Sequence, residues 1–336
     1  LKLFILISYV LMGYVASAAY PIVTIPYIIR GQAQGTTYEV KYFADEEIVT
    51  KEDIDSIFSV IDASMSLYKP NSLISSFNSG DNKKVKLDEH MYKVIQASLK
   101  YHKVTNGYFD VTVFPLLKLW GFGPDGFRFN PSKSQVDSVL QHIGRDKLVL
   151  SGKYLKKRNK NVAIDLNGIA QGYTVDVLSK YLVQKNITSF IVEVGGEIYC
   201  QGEKPSGETY KIEIQRPGND TKGGYKISLK NKAITTSGSY EKYRVVDGKP
   251  ISHHIDPKTG YPLTNNTLSA TVIANKAMEA DALDNYLMFL PPEEAISFVE
   301  TLPHVEAYII YYENNTLKEL QSSGFNNYIY KVQNPL

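Results

Sequence analysis

A mixed α/β chain of the α+β kind, with helices layered on a large sheet, is what this sequence predicts. Three observations lead there. Helical and strand patterns alternate along its whole length, the late strand segments are rich in tyrosine, and small-residue turns close strands at Gly195-Gly196 and at Ser237-Gly238. The 336 residues, 43% hydrophobic and 21% charged, have the composition of a globular chain with a sizeable core. Its 25 tyrosines suit strands, where aromatic rings fit a half-buried pleated surface.

Taken in order, Thr36 to Phe43 reads as a strand after the turn at Gly31 to Gly35. Lys51 to Met65 carries Ile54, Ile57, Phe58, Ile61 and Met65 at helical spacing, and Pro70-Asn71-Ser72 breaks the pattern. Ser72 to Asn78 reads as a short capped turn. Leu87 to Thr105 predicts a second helix ended by Asn106-Gly107, and Ser132 to Ile143 a third. Strands are expected at Leu148–Leu150 and Val162–Leu166. Asn167 to Lys185 is the strongest helix, with Asn167 as its cap and Val175, Leu178 and Leu182 on one face. It leads into the strand Phe190–Val194, so that strand, helix and strand make a βαβ-like unit. Strand signals fill Tyr210 to Ile234 and recur at Ala270–Ala274 and Val305–Tyr312. Helices are expected at Ala277–Leu290, stopped by Pro291-Pro292, and at Glu293–Leu302. No repeat or low-complexity linker interrupts this order, and residues 30–336 read as a single unit.

Ahead of that unit, Lys2, the apolar run Leu3 to Met12 and the small residues Ala16-Ser17-Ala18-Ala19 have the order of a secretory signal peptide over residues 1–19. Apolar character continues through Ile29, so an uncleaved membrane anchor is the alternative. Export is expected, to the periplasm or to the periplasmic face of the inner membrane. The single cysteine, Cys200, excludes a disulfide within the chain and reads as a buried hydrophobe in a strand. A net charge of +2 gives no electrostatic ground for a nucleic-acid partner.

The chemistry concentrates in Ser252-His253-His254-Ile255-Asp256-Pro257-Lys258-Thr259-Gly260 and in Met278-Glu279-Ala280-Asp281-Ala282. An imidazole beside a turn can serve as a base, and a helical carboxylate as a metal ligand. His254 follows His253 directly, so in extended backbone the two face opposite ways and only one belongs to a given pocket. Asp281 and Asn285 share a helix face and offer oxygen to a hard cation such as Mg²⁺. An exposed polar face is the more common explanation of such a pair. Its apolar neighbours Ala280, Ala282 and Leu283 argue for a buried and partnered carboxylate. Gly195-Gly196-Glu197 and Thr235-Thr236-Ser237-Gly238-Ser239 are turns whose N–H and hydroxyl groups can meet phosphate oxygens, although such turns more often only reverse the chain.

Six ordered segments together resemble the ApbE family of FAD:protein FMN transferases. Gly35-Thr36-Thr37-Tyr38 is similar to its M-G-T-x-Y segment, with Gln34 in place of Met. Met65-Ser66-Leu67-Tyr68-Lys69-Pro70-Asn71-Ser72 with Phe77-Asn78 resembles a second motif, and Gly107-Tyr108-Phe109-Asp110 with Thr112, Pro115 and Leu119-Trp120-Gly121-Phe122 a third. Asp165-Leu166-Asn167-Gly168-Ile169-Ala170-Gln171-Gly172-Tyr173 with Asp176 resembles D-L-x-x-I-[AG]-K-G-Y-x-x-D, with Gln171 for the family's Lys. The two segments rich in His and Asp complete the set.

The resemblance implies a two-lobed architecture, mixed sheets flanked by helices, with a cleft between the lobes that holds FAD. It implies Mg²⁺ on the pyrophosphate and transfer of the FMN moiety to a Ser or Thr hydroxyl of an acceptor flavoprotein, such as a membrane redox-complex subunit, with release of AMP. By the same resemblance Ala170 (through its carbonyl), Asp281 and Asn285 hold the metal; Asn285 stands where the family has a hydroxyl residue. His253 is implied as the general base or as a group orienting phosphate. Tyr68 packs on the isoalloxazine, and Asp110 with Thr112 meets the adenosine half. Thr37, Gly195, Gly196 and Glu197 belong to the FAD site, and Ser237 and Gly238 contact phosphate or flavin. Alternatives are an FAD pyrophosphatase, in which water replaces the acceptor, and a flavin-binding protein without turnover.

Overall fold

The computed structural model describes residues 25–79, 83–124, 130–216, 225–239, 243–246 and 249–330. The predicted signal peptide lies outside them, and no helix among the described residues is long and apolar enough to cross a membrane. The chain opens with a hairpin, β1 (Tyr27–Ala33) and β2 (Thr36–Tyr42), followed by α1 (Lys51–Met65), α2 (Leu73–Asn78), β3 (Lys84–Lys86) and α3 (Glu89–Val104). Next come α4 (Phe114–Leu119), α5 (Lys133–Leu140), β4 (Leu148–Ser151), β5 (Tyr154–Lys157) and the long α6 (Asn167–Gln184). The strands β6 (Phe190–Val194), β7 (Glu197–Gln201), β8 (Tyr210–Glu213), β9 (Lys226–Leu229), β10 (Lys232–Gly238), β11 (Tyr243–Val246), β12 (Lys249–Ser252) and β13 (Thr267–Ala274) follow. The chain finishes with α7 (Ala277–Leu287), α8 (Pro292–Val299), β14 (Glu306–Glu313) and β15 (Thr316–Gln321).

Eight strands form the main sheet in the order β1-β2-β6-β7-β10-β13-β14-β15. Each ladder in it is antiparallel, so successive strands alternate direction and their turns alternate between its two ends. That alternation fixes what meets at one end. The β1–β2 turn at Gln34-Gly35, the β6–β7 turn at Gly195-Gly196, the C-terminus of β10 at Ser237-Gly238 and the start of β13 all lie there. Helix α6 precedes the upward strand β6, so its N-terminal turns arrive at the same end. Helix α7 follows the downward strand β13 and climbs back toward it.

Local signals account for the helices. Thr50 and Asp53 form a capping box at the start of α1, as Ser132 and Gln135 do for α5. The α1 stripe is buried at Ile54, Phe58, Ile61 and Met65, as its spacing predicts. Ser72 caps α2, which makes the expected turn a short helix.

Two local expectations are corrected. Val162–Leu166 forms no strand and joins no sheet. Its polar groups are taken by the Asn78 carboxamide, which donates to the Ile164 carbonyl and accepts from its N–H, both at 2.8 Å, and by the Val111 carbonyl. With those bonds satisfied there is no βαβ unit. Asn167 does not cap α6 either: its own N–H donates to Asp165 Oδ1 at 2.6 Å, so Asp165, two residues earlier, takes the first N–H of the helix. The hairpin strand β1, hidden in the sequence by the apolar run ahead of it, pairs with β2 along its whole length.

Candidate active site at the α6–α7 end of the sheet

Helices α6 and α7 run antiparallel and touch once per turn. Gly168 faces the Asn285 side chain, Gly172 faces Ala277 and Asp281, and Asp176 reaches the first residues of α7. The middle contact needs glycine: a Cβ on Gly172 would sit 2.4 Å from the Ala277 carbonyl oxygen and 2.8 Å from Asp281 Cβ. This close approach lets the Gly172 N–H donate to Asp281 Oδ2 at 2.9 Å. Helix α7 has no capping side chain of its own. Asp176 supplies the cap from α6, accepting from the N–H groups of Ala277 (2.9 Å) and Met278 (3.2 Å). Burial pushes the Asp176 carboxyl up to about 6, against those two hydrogen bonds, which lower it.

One turn further along α7, Asp281 and Asp284 form a buried carboxylate pair, 3% and 2% exposed. Burial first, and the charge of Asp281 second, hold the Asp284 carboxyl well above the usual carboxylate range. Ser237 Oγ donates to Asp284 Oδ1 at 3.0 Å and ties β10 to the pair. Asn285 sits between the two acids. Its Nδ2 lies 2.9 Å from the Asp281 carbonyl, 3.3 Å from Asp281 Oδ1 and 3.2 Å from Asp284 Oδ1. All three neighbours are acceptors, so the amide nitrogen must face them. The oxygen expected to meet a cation therefore points away from the carboxylates.

Ala170 lies on the same turn of α6, where its carbonyl accepts from Thr174 Oγ1 at 2.8 Å. Among the described residues no three His, Cys, Asp or Glu side chains converge as a metal cluster. A cation here would need backbone oxygen as well as carboxylate, and the resemblance to the family implies the Ala170 carbonyl for it. Two buried carboxylates in mutual repulsion, with oxygen donors beside them, fit a hard divalent ion.

The sheet-end turns close around this helix pair. Gly195, at φ 65°, donates its N–H to the Thr37 carbonyl at 3.1 Å. A Cβ on Gly195 would lie 2.8 Å from Thr36 Cγ2 and 2.9 Å from Gln171 Nε2, so the two turns and α6 meet there with no room for a side chain. Gly196 N–H donates to Glu193 Oε1 at 2.8 Å, and Glu197 begins β7 beside it. The Thr37 side chain is exposed.

His253 and His254 do not face opposite ways. The chain bends at His253, and the two ring centres lie 4.1 Å apart. His254 is buried, its Nδ1 2.9 Å from Ser252 Oγ, and its ring meets the edge of Phe289 just beyond α7. His253 is half-buried and packs against it with the ring planes tilted by 40°. The following turn is braced by the Trp120 indole, which donates to the Gly260 carbonyl at 2.8 Å. Lys258 Nζ lies 3.8 Å from the centre of the Tyr108 ring, which in turn packs on Phe289.

Two other predicted contacts have different surroundings. Tyr68 is 71% exposed on the α1–α2 loop, an open ring ready to stack. Asp110 Oδ1 accepts from the Thr112 N–H (2.8 Å) and hydroxyl (2.6 Å), Asp110 Oδ2 lies 3.3 Å from His102 Nδ1, and Thr112 Oγ1 accepts from Gly144 N–H at 2.7 Å. Both side chains brace the turn after α3. Asp284, Gln34 and Thr174 join the site without having been singled out by sequence reasoning as ligand-facing groups. For Asp284 the signal was available: it stands three residues after Asp281 on an otherwise apolar helix face.

The model of the ApbE family matches residues 34–309, which contain every residue of this site. The chain belongs to the ApbE family. It is 34% identical over 311 residues to the FAD:protein FMN transferase of Haemophilus influenzae, covering 88% of this chain and 90% of that protein. The corresponding protein of Escherichia coli K12 is 32% identical over 318 residues, covering 91% and 90%. Among solved ApbE structures, the flavin transferase of Vibrio cholerae superposes with a TM-score of 0.83 at 30% identity, covering 91% of this chain and all of that one. The mixed α+β architecture is thus that of the ApbE fold.

Proposed function

We propose that this ApbE protein transfers the FMN moiety of FAD to a Ser or Thr hydroxyl of an acceptor flavoprotein and releases AMP. The observation that carries the proposal is the α6–α7 docking, in which Gly172 bonds Asp281, Ser237 bonds Asp284 and Gln171 packs against the Gly195 turn. Asp281 and the Ala170 carbonyl would hold a Mg²⁺ ion, with Asp284 adjacent and Asn285 clamping the two carboxylates. Bound there, the ion supplies Lewis-acid neutralisation of pyrophosphate charge.

The residues of the chain divide the remaining work. His253, half-buried and packed against the His254 ring, takes the proton of the acceptor hydroxyl. The hydroxyl oxygen then bonds to the FMN phosphorus, that phosphorus separates from the bridging oxygen, and AMP leaves with it. Gly196 leaves open space at the sheet end, and Tyr68 offers a ring face to the isoalloxazine. The pattern of Lys2, Leu3–Met12 and Ala16–Ala19 supports export, which makes a periplasmic acceptor, such as a membrane redox-complex subunit, the natural partner.

Incubation with FAD, Mg²⁺ and an acceptor domain tests the proposal. Mass spectrometry should find one FMN unit added to the acceptor, with AMP in equal amount. AMP and free FMN without a modified acceptor would instead establish hydrolysis.

A further inference from the structure

The outer face of the three-stranded sheet β3-β5-β4 carries positive charge that the fold itself does not use. Lys84 stands opposite Lys156, Lys86 opposite Tyr154, and on the other side of β5 Val149 faces Lys156 and Ser151 faces Tyr154. Directly paired residues share a face, so these six side chains lie together, and all six are exposed. Val85, Leu155 and Leu148, on the opposite face, are buried. Two lysines directly opposite one another are destabilising in an antiparallel pair. Lys84 has only the Tyr154 ring, 3.9 Å from its Nζ, and among the described residues no carboxylate pairs with Lys84, Lys86 or Lys156. The acids that flank these strands in the chain are taken by other lysines, Glu89 by Lys93 at 2.5 Å and Asp146 by Lys147 at 2.8 Å.

The surroundings of the face strengthen its field. Lys83, Lys153, Arg158 and Lys160, next to the ends of these strands, are exposed as well. In a chain whose net charge is only +2, that concentration on one surface favours an anionic partner. Lysine, at the centre of the face, is a mobile point charge suited to a diffuse field, whereas bidentate recognition of one phosphate calls for the fork of arginine. Tyr154 and Val149 add an amphipathic ring and an apolar side chain among the charges, the mixture that suits a lipid headgroup boundary. The apolar run Leu3–Met12, a signal peptide or an anchor by its sequence, directs the chain to a membrane in either case.

We propose that the outer face of β3-β5-β4 docks on an anionic lipid surface, with Lys84, Lys86 and Lys156 against lipid phosphate and Tyr154 at the level of the headgroups. None of these residues belongs to the candidate active site, so the inference stands apart from the FAD reading.

Co-sedimentation of the full chain with vesicles tests the proposal. Phosphatidylcholine vesicles with and without phosphatidylglycerol are compared, and the ratio of the two affinities is the readout, because the apolar N-terminal run contributes to both alike. The wild type should prefer the anionic vesicles by at least about a hundredfold at ~0.1 M salt and lose most of that preference at ~1 M, where the screening length falls to about 3 Å. Each lysine at the surface is worth about fivefold, so Lys84→Gln/Lys86→Gln/Lys156→Gln should reduce the preference by about a hundredfold. Lys180→Gln/Lys226→Gln/Lys318→Gln, which removes the same charge from exposed positions elsewhere, should change it by less than about threefold. No preference in the wild type, or equal preferences in the wild type and the first triple variant, would overturn the inference. Equal losses in both triple variants would also overturn it, by tracing the binding to net charge alone. If the wild type showed no preference and the first triple variant raised the KM for an acceptor protein, the face would dock protein instead, and the lipid proposal would fall.

Discussion

Gly172→Ala tests whether the site is held by helix docking. The added methyl would stand 2.4 Å from the Ala277 carbonyl oxygen, 2.7 Å from its carbon and 2.8 Å from Asp281 Cβ. None of these is the end of a flexible side chain, so α7 has to move away by about 1 Å to restore ordinary contact. That shift opens the 2.9 Å bond from Gly172 N–H to Asp281 Oδ2 beyond hydrogen-bonding range. Overpacking costs about 1–3 kcal/mol, and the lost bond to a carboxylate about 1.5–3 kcal/mol. The better helix propensity of alanine returns about 1 kcal/mol. A net loss of about 1.5–5 kcal/mol is expected, with FMN transfer falling by more than the loss of folded protein explains. Gly168→Ala, one turn earlier, is the control. Its Cβ would meet nothing closer than 3.4 Å, and its φ of −80° suits alanine. Urea unfolding of the two variants, with transfer assayed under conditions where both are folded, decides the matter. Equal stabilities, within about 0.5 kcal/mol, would refute the docking argument.

Further expectations concern single groups. His253→Ala should slow transfer by about 10²–10⁴-fold with little change in the affinity for FAD, measured by single-turnover kinetics and titration; lost binding would make it a positioning group. Asp281→Ala should abolish measurable transfer, weaken Mn²⁺ binding followed by electron paramagnetic resonance, and cost about 1–3 kcal/mol because the Gly172 N–H loses its acceptor. Unchanged Mn²⁺ affinity would remove Asp281 from the cation site. Tyr68→Ala should weaken FAD binding by about 1 kcal/mol yet leave stability within about 0.5 kcal/mol, since the ring is 71% exposed. Asp176 carries a pH dependence. Its folded carboxyl titrates at about 6 and the unfolded one near about 4, so the folded state holds the proton more tightly. The contribution of Asp176 to stability is therefore fully present below pH ~4, falls as pH rises to ~6, and is flat above. Urea titrations between pH 4 and 8 should show that decline in the wild type and lose it in Asp176→Asn; the same slope in both would exclude Asp176 as its source.

What the sequence disclosed depended on whether a residue acts through its neighbours in the chain or across the fold. The stripe of α1 and the capped turn at Ser72 are local, and the structure has them where the spacing put them; Thr50 and Ser132 cap their helices by the same local chemistry. Val162–Leu166 looked like a strand because its residues are apolar. No local rule foresees that the Asn78 side chain, 86 residues away, takes the backbone bonds of Ile164 that a ladder would have used. Asn167 has the right chemistry for a cap but lost the position to Asp165, which stands two residues earlier. At the site, Asp281 was legible from its apolar neighbours. The orientation of the Asn285 amide was not, because it follows from three acceptors that meet only once α7 is folded beside β10. The paired histidines show the limit of strand periodicity in the same way: alternation holds only where the backbone is extended, and it bends at His253.

Gly172 and Asp176 explain why a motif on α6 accompanies an acidic residue on α7. Each acts on the other helix. Asp176 stands in for the missing cap of α7, and Gly172 both admits that helix and bonds Asp281. With α7 anchored at those two turns, the next turn can carry Asp284 and Asn285 in a setting that would otherwise be hard to sustain, a buried pair of acids. Their repulsion is met by Asn285 Nδ2 from one side and Ser237 Oγ from the other, so the pair is stabilised by hydrogen bonds even before any cation arrives. It follows that stability and cation affinity pull on the same atoms. A substitution that relieves the repulsion, such as Asp284→Asn, should raise the stability of the metal-free protein and lower its Mn²⁺ affinity together. If the two quantities moved independently, the carboxylate pair would not be the element that couples the fold to the cation.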